Sequence, residues 1–169
     1  MHSNSTRRTF AMRFGSILSA LGIAAAVPPT RGIAAPRAQD KGTIRKLNGE
    51  GKPGSAKEVI MPVIIHNGLI YVSGQGAHDT RDKKEWTIES HTTMVMDKIK
   101  KMVEIGGGTM DTILQTSVFL VNIEHWEAMT KVFGSYFPNG GPTRTTVAIA
   151  ALPGDSLVEI NCIAAIAHK

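Results

Sequence analysis

The feature that most constrains this chain is its C-terminal run Leu157–Ala167, LVEINCIAAIA, which is apolar on both of its alternating faces. Successive side chains of a strand point to opposite sides. Val158, Ile160, Cys162, Ala164 and Ile166 therefore share one face, the one expected to meet helices. Leu157, Glu159, Asn161, Ile163 and Ala165 share the other. That second face is far more apolar than water favours, yet it carries a carboxylate.

The elements before this strand follow from local signals. Residues 35–57 are rich in Gly, Pro, Lys and Ala and read as an N-terminal arm, with Thr43–Leu47 a candidate first strand. Val59–Ile65 is nearly all apolar and is followed by His66-Asn67-Gly68. Asn-Gly suits a two-residue hairpin turn, because both turn positions need positive φ. Leu69–Gly74 is then the returning strand, and Pro62, lacking a donor, predicts an edge or a bulge in the first. Ile88–Ile105 is a helix with Glu89 or Ser90 near its start; Val95, Ile99, Met102 and Val103 are its apolar stripe and Gly106-Gly107-Gly108 its end. Asp111–Val121 alternates as a strand. Asn122 is placed to cap a second helix through Trp126, Met129, Phe133 and Phe137, with Trp126 and Phe133 read as core. A loop at Pro138–Pro142 leads to a last hairpin: Arg144–Ala151, the turn Leu152–Asp155, then Leu157–Ala167.

This order predicts an α+β domain, a mixed sheet with two helices on one face. Arg144, Thr146, Ala148 and Ala150 share one side of their strand. If the turn centres near Pro153-Gly154, that side is also the side of Glu159. A sheet face that is apolar and bare of helices needs another subunit. A homo-oligomer is expected, with Arg144 and Glu159 near a subunit junction.

The formal charge of +5 invites a nucleic-acid reading, but its distribution opposes one. Residues 1–34 hold Arg7, Arg8, Arg13 and Arg31 and no acid, so the remainder has 15 basic against 14 acidic residues. Without a basic stripe, the folded part lacks the electrostatic footprint of a nucleic-acid binder. Thr6-Arg7-Arg8-Thr9-Phe10, the mildly apolar Phe14–Val27 and small residues around Ala34 form the pattern of a twin-arginine export signal. Cleavage after Ala34 leaves 135 residues, exported and periplasmic, without stable membrane insertion: Phe14–Val27 is shorter than the roughly 20 residues a span needs. The domain scheme is thus 1–34 signal, 35–57 arm and 58–169 folded domain. Cys162, the single cysteine, excludes an internal disulfide and reads as core. His66, His78, His91, His125 and His168 show no metal-ligand spacing, so no metal is expected. Arg81-Asp82-Lys83-Lys84-Glu85 reads as a solvated loop of balanced charge.

Several segments in order carry a family resemblance. They are Val72-Ser73-Gly74-Gln75, Thr116-Ser117-Val118-Phe119-Leu120, Pro142-Thr143-Arg144-Thr145-Thr146-Val147, and Leu152-Pro153 followed by Val158-Glu159-Ile160. From about Val59 to Ala167 the chain resembles the RidA/YjgF imine deaminases. The resemblance implies a chorismate-mutase-like fold and a homotrimer with a β-barrel-like core and active sites in the clefts between subunits. It also implies hydrolysis of a reactive enamine or imine to a 2-keto acid and ammonia, with no cofactor. Matched residue by residue, Arg144 holds the substrate carboxylate and Glu159 orients the water. Ser73 and Gly74 line the pocket, Thr145 and Thr146 supply donors next to the arginine, and Thr130 is a further substrate-binding position.

The chain also departs from the family pattern. Thr146 stands where well-studied members often have cysteine, Thr130 where asparagine is common, and no tyrosine occurs near Ile60. The loop from Phe137 to Pro142 is shorter. These departures keep open a second expectation, a non-catalytic carboxylate-binding or chaperone-like trimer.

Overall fold

The computed structural model describes residues 42–78 and 86–167. The export signal, residues 35–41, Arg81–Glu85 and His168 lie outside the described residues. The elements are β1 (Arg45–Leu47), β2 (Val63–His66), β3 (Leu69–Gly76), α1 (Ile88–Gly106), β4 (Ile113–Leu120), α2 (Trp126–Ser135), β5 (Thr143–Ala148) and β6 (Val158–Ala165). They form one mixed sheet in the order β1-β2-β3-β6-β4-β5.

Local chemistry accounts for the boundaries. Asn67 and Gly68 take φ of 50° and 78°, the left-handed pair a two-residue hairpin requires. β2 begins only after Pro62, shorter than the expected Val59–Ile65, and Val59 and Ile60 are exposed. Proline has no N–H for a ladder, although its carbonyl accepts from Ser73 N–H at 3.0 Å. The strand is not an edge, since β1 pairs along its outer side. The cap of α1 is Thr87 rather than Glu89 or Ser90. Thr87 Oγ1 accepts from Ser90 N–H, and Ser90 Oγ accepts from Thr87 N–H, a reciprocal capping box. Gly107, at φ 91°, closes the helix in the left-handed region. Asn122 caps a 3₁₀ turn, Ile123–His125, that runs directly into α2.

The final pair of strands departs from expectation. β5 and β6 are not a hairpin: β5 runs parallel to β4 at the sheet edge, and β6 lies between β3 and β4. The reason is composition. β6 is apolar on both faces and takes the centre, whereas TRTTVA of β5 is mostly polar and tolerates the edge. Both crossovers, β3–α1–β4 and β4–α2–β5, step across the sheet in the same direction between parallel strands, which puts their helices on the same face. Under them lie Val63, Ile65, Ile70, Val72, Val118, Leu120, Val158, Ile160, Cys162 and Ala164, with Val95, Met96, Ile99 and Val103 of α1 fully buried above.

Among the described residues, no helix covers the other face. Tyr71, Gln115, Ser117, Asn161 and Ile163 line a depression of about 260 Å³ there, and Tyr71 and Val147 are exposed.

Candidate active site

Strand register decides where each candidate side chain points. Arg144 pairs with Thr116, Thr145 with Ser117 and Thr146 with Val118. Paired residues on adjacent strands share a face. Thr116 and Val118 are buried beneath the helices, so Arg144 and Thr146 lie on the helix side and Thr145 on the open side. Glu159 pairs with Phe119, three residues along β4 from Thr116 and hence on the opposite face. Within one protomer Arg144 and Glu159 therefore do not share a side. The contrary expectation assumed that β5 and β6 were hairpin neighbours, and the interposed β4 reverses that assignment.

Arg144 is held by α2. Its Nη2 donates to Thr130 Oγ1 at 3.1 Å, and its guanidinium carbon lies 4.9 Å from the Phe133 ring centre and 5.9 Å from that of Trp126. These distances are within the range of cation–π attraction. A guanidinium carries five N–H donors, and among the described residues no carboxylate pairs with this one. Burial lowers its pKa below the ordinary value, which means that its surroundings disfavour the charge and an arriving anion would relieve them. Thr146 Oγ1, two residues along the same side of β5, is buried without a partner among the described residues. The helix-side group is thus Arg144, Thr146 and Thr130.

Trp126 completes that group and was missed as a site residue. It is 43% exposed, not core as its spacing from Phe133 had implied, whereas Phe133 is buried. Helical periodicity places both on one face of α2, but the edge position of β5 leaves the Trp126 end uncovered. No local signal distinguishes the two.

The second group forms at the bulge where β3 slips against β6 between Val72 and Gln75. Gln75 Nε2 donates to Ser73 Oγ and Ser73 O, both at 3.1 Å, and to Gly74 O at 3.2 Å, bracing the irregular backbone. Gly74 sits directly against Glu159: a Cβ there would lie 2.8 Å from the Glu159 carboxyl carbon and collide with one of its oxygens. Glycine is required here by close approach rather than by backbone angle. Gly74 and Glu159 are thereby brought together, the Ser73 hydroxyl is held by Gln75, and Thr145 shares the open face with Glu159. Ile60, at the expected tyrosine position, is exposed ahead of β2. Cys162 is buried, and burial pushes its thiol up to about 12.

The domain thus combines a six-stranded mixed sheet, two helices on one face, an arginine at the polar edge with no carboxylate partner among the described residues, and a carboxylate at a glycine bulge. Residues 53–166 match the family described as Endoribonuclease L-PSP, and the chain belongs to that family, which includes the RidA, YjgF and RutC proteins. A RutC family protein of Saccharolobus solfataricus is 36% identical over 98 residues, 57% of this chain and 78% of its own. The crystal structure of YyfA, a Rid family protein of unknown function from Yersinia pestis, is 31% identical with a TM-score of 0.65 and covers 73% of this chain and 100% of its own. That of the yeast protein YEO7 is 30% identical with a TM-score of 0.64, covering 73% of this chain and 98% of its own.

Proposed function

We propose that this protein hydrolyses reactive enamines or imines, taking a 2-imino acid and water to a 2-keto acid and ammonia. In this reading three copies associate through their bare sheet faces, and Arg144 of one copy meets Glu159 of the next across a cleft. The single observation that carries it is the Arg144 guanidinium: half-buried, braced by Thr130 and two rings, and without an anionic partner among the described residues. A desolvated cation without a counter-charge is costly, and a substrate carboxylate received bidentately would neutralise it.

The chemistry asks little more of the protein. C2 of an imino acid is already electrophilic, so the site must hold the carboxylate, aim a water at C2 and manage protons. Glu159, half-buried beside the Ser73-Gly74 bulge, is suited to accept the proton of that water. The opposed faces of Arg144 and Glu159 in one protomer support assigning it to a neighbouring copy. The family description names an endoribonuclease, but 15 basic against 14 acidic residues after position 34 give no cationic track for RNA.

The test is a coupled assay in which an amino-acid oxidase generates 2-imino acids in situ. Purified protein should accelerate release of keto acid and ammonia, and Arg144→Ala should abolish the acceleration while leaving the oligomer intact. No acceleration across several imino acids sinks the proposal. Binding of pyruvate that depends on Arg144, without turnover, would instead establish the non-catalytic carboxylate binder.

A further inference from the structure

We infer that His78 is the second acid–base group of this site, partnering Glu159 and serving the nitrogen of the substrate; the inference rests on the deaminase reading. Gly76, at the end of β3, pairs directly with Glu159 across the β3–β6 ladder. The two residues point to the same face, and direct cross-strand neighbours have Cβ positions about 5 Å apart. The His78 ring folds back over that same Gly76 position: a Cβ on Gly76 would lie 2.5 Å from its Cε1 and 3.2 Å from its Cδ2. The ring's other edge meets the turn before β6, where a Cβ on Gly154 would lie 2.7 Å from Nδ1 and 3.2 Å from Cγ.

Two residues without side chains, from segments far apart in sequence, thus leave the slot in which this imidazole rests. Only the hydrogens of Gly76 separate it from the rung that bears Glu159. Gly74, the next same-face position along β3, receives the Glu159 carboxylate. A small molecule lying over Gly74 and Gly76 would touch a carboxylate at one end and an imidazole at the other. His78 is exposed and so reaches solvent for proton exchange. Among the described residues, the charged groups on the surrounding elements are Glu159 of β6, Asp155 beside Gly154, and Lys98 of α1, whose Nζ donates to Gly76 O at 2.9 Å.

Imine hydrolysis needs two such groups, because a proton must leave the oxygen while another reaches the nitrogen. Water attacks C2 and its proton passes to the Glu159 carboxylate, while the C=N π pair moves to nitrogen, which takes a proton from the His78 imidazolium. The carbinolamine nitrogen then receives the proton held by Glu159. As the C–N bond breaks and its pair leaves with ammonia, neutral His78 takes the hydroxyl proton and the C=O bond forms. Both residues end as they began, and the sum is imine plus water to keto acid plus ammonia. An imidazole has two ring nitrogens, each able to donate or accept a hydrogen, so one side chain can serve both roles.

The experiment measures kcat and its pH profile on 2-imino acids generated in situ, with the full chain. His78→Ala and His78→Gln should each lower kcat by about 100-fold with KM little changed, and free imidazole should restore part of the activity of His78→Ala. Gly76→Ala, which displaces the ring, should lose activity in the parent and little more in the His78→Ala background. Parent activity with both His78 variants matching it, in kcat and in pH profile, overturns this inference alone. An equal additional loss from Gly76→Ala in both backgrounds overturns the positioning. A parent that hydrolyses no imine overturns this inference together with the deaminase reading.

Discussion

Acidification should destabilise this domain through one identifiable residue, His91. The ring is fully buried in the first turn of α1, its Nδ1 accepts from Leu157 N–H at 3.1 Å, and it packs edge-on against Trp86 at 5.7 Å. Its Nε2 is buried with no partner among the described residues. A second proton would have to go on Nδ1, breaking the bond to Leu157 at the entrance to β6 and leaving a buried charge. Burial accordingly lowers its pKa below 6.5. Below pH 6.5 the unfolded chain binds a proton that the folded chain refuses. The contribution is fully present above that value and is lost as pH falls, levelling off only when the folded ring itself protonates. The loss cannot exceed about 1.4 kcal/mol for each pH unit below 6.5. Urea unfolding followed by circular dichroism at pH 7.5, 6.5 and 5.5, at fixed protomer concentration, measures it. His91→Asn retains an acceptor near Nδ1 and removes the titration. It should be less stable at pH 7.5, because the missing ring leaves a cavity, but distinctly flatter in its pH dependence. Identical pH slopes for parent and variant would refute the reasoning.

Four further outcomes are expected. Arg144→Lys should weaken equilibrium binding of pyruvate by about tenfold or more, since an ammonium cannot reproduce the guanidinium fork; calorimetry would read this directly. Gly74→Ala should impair imine hydrolysis while leaving the circular dichroism spectrum unchanged, because its Cβ must displace the Glu159 carboxylate. Thr87→Ala should cost about 1 kcal/mol in urea unfolding through loss of the cap on α1. Cys162 should resist a thiol reagent at pH 8 in the folded protein and react fully in denaturant, as expected of a buried thiol pushed up to about 12.

What the sequence by itself determined were the features governed by a few neighbouring residues. Asn67-Gly68 specifies its hairpin through positive φ, Gly106-Gly107-Gly108 ends α1, and the apolar stripe of Val95, Ile99, Met102 and Val103 finds the core. The two-sided apolarity of β6 marks it as a strand that needs cover on both faces before any partner is known. Even the near misses, Thr87 for Ser90 and Val63 for Val59, are shifts of a few residues at element ends, where the last hydrogen bond rather than periodicity decides.

Only the tertiary structure decided which strands are neighbours, and with that, which candidate residues share a face. Strand pairing is a contest among distant segments, settled by burial: β6 displaced β5 from the centre because it had more apolar surface to cover, and β4 came between them. Side chains alternate with a period of two, so one misplaced strand moved Arg144 to the side opposite Glu159. The same non-local contest left Trp126 exposed beside the arginine and brought His78 between Gly76 and Gly154. Neither position is written in the residues next to it along the chain.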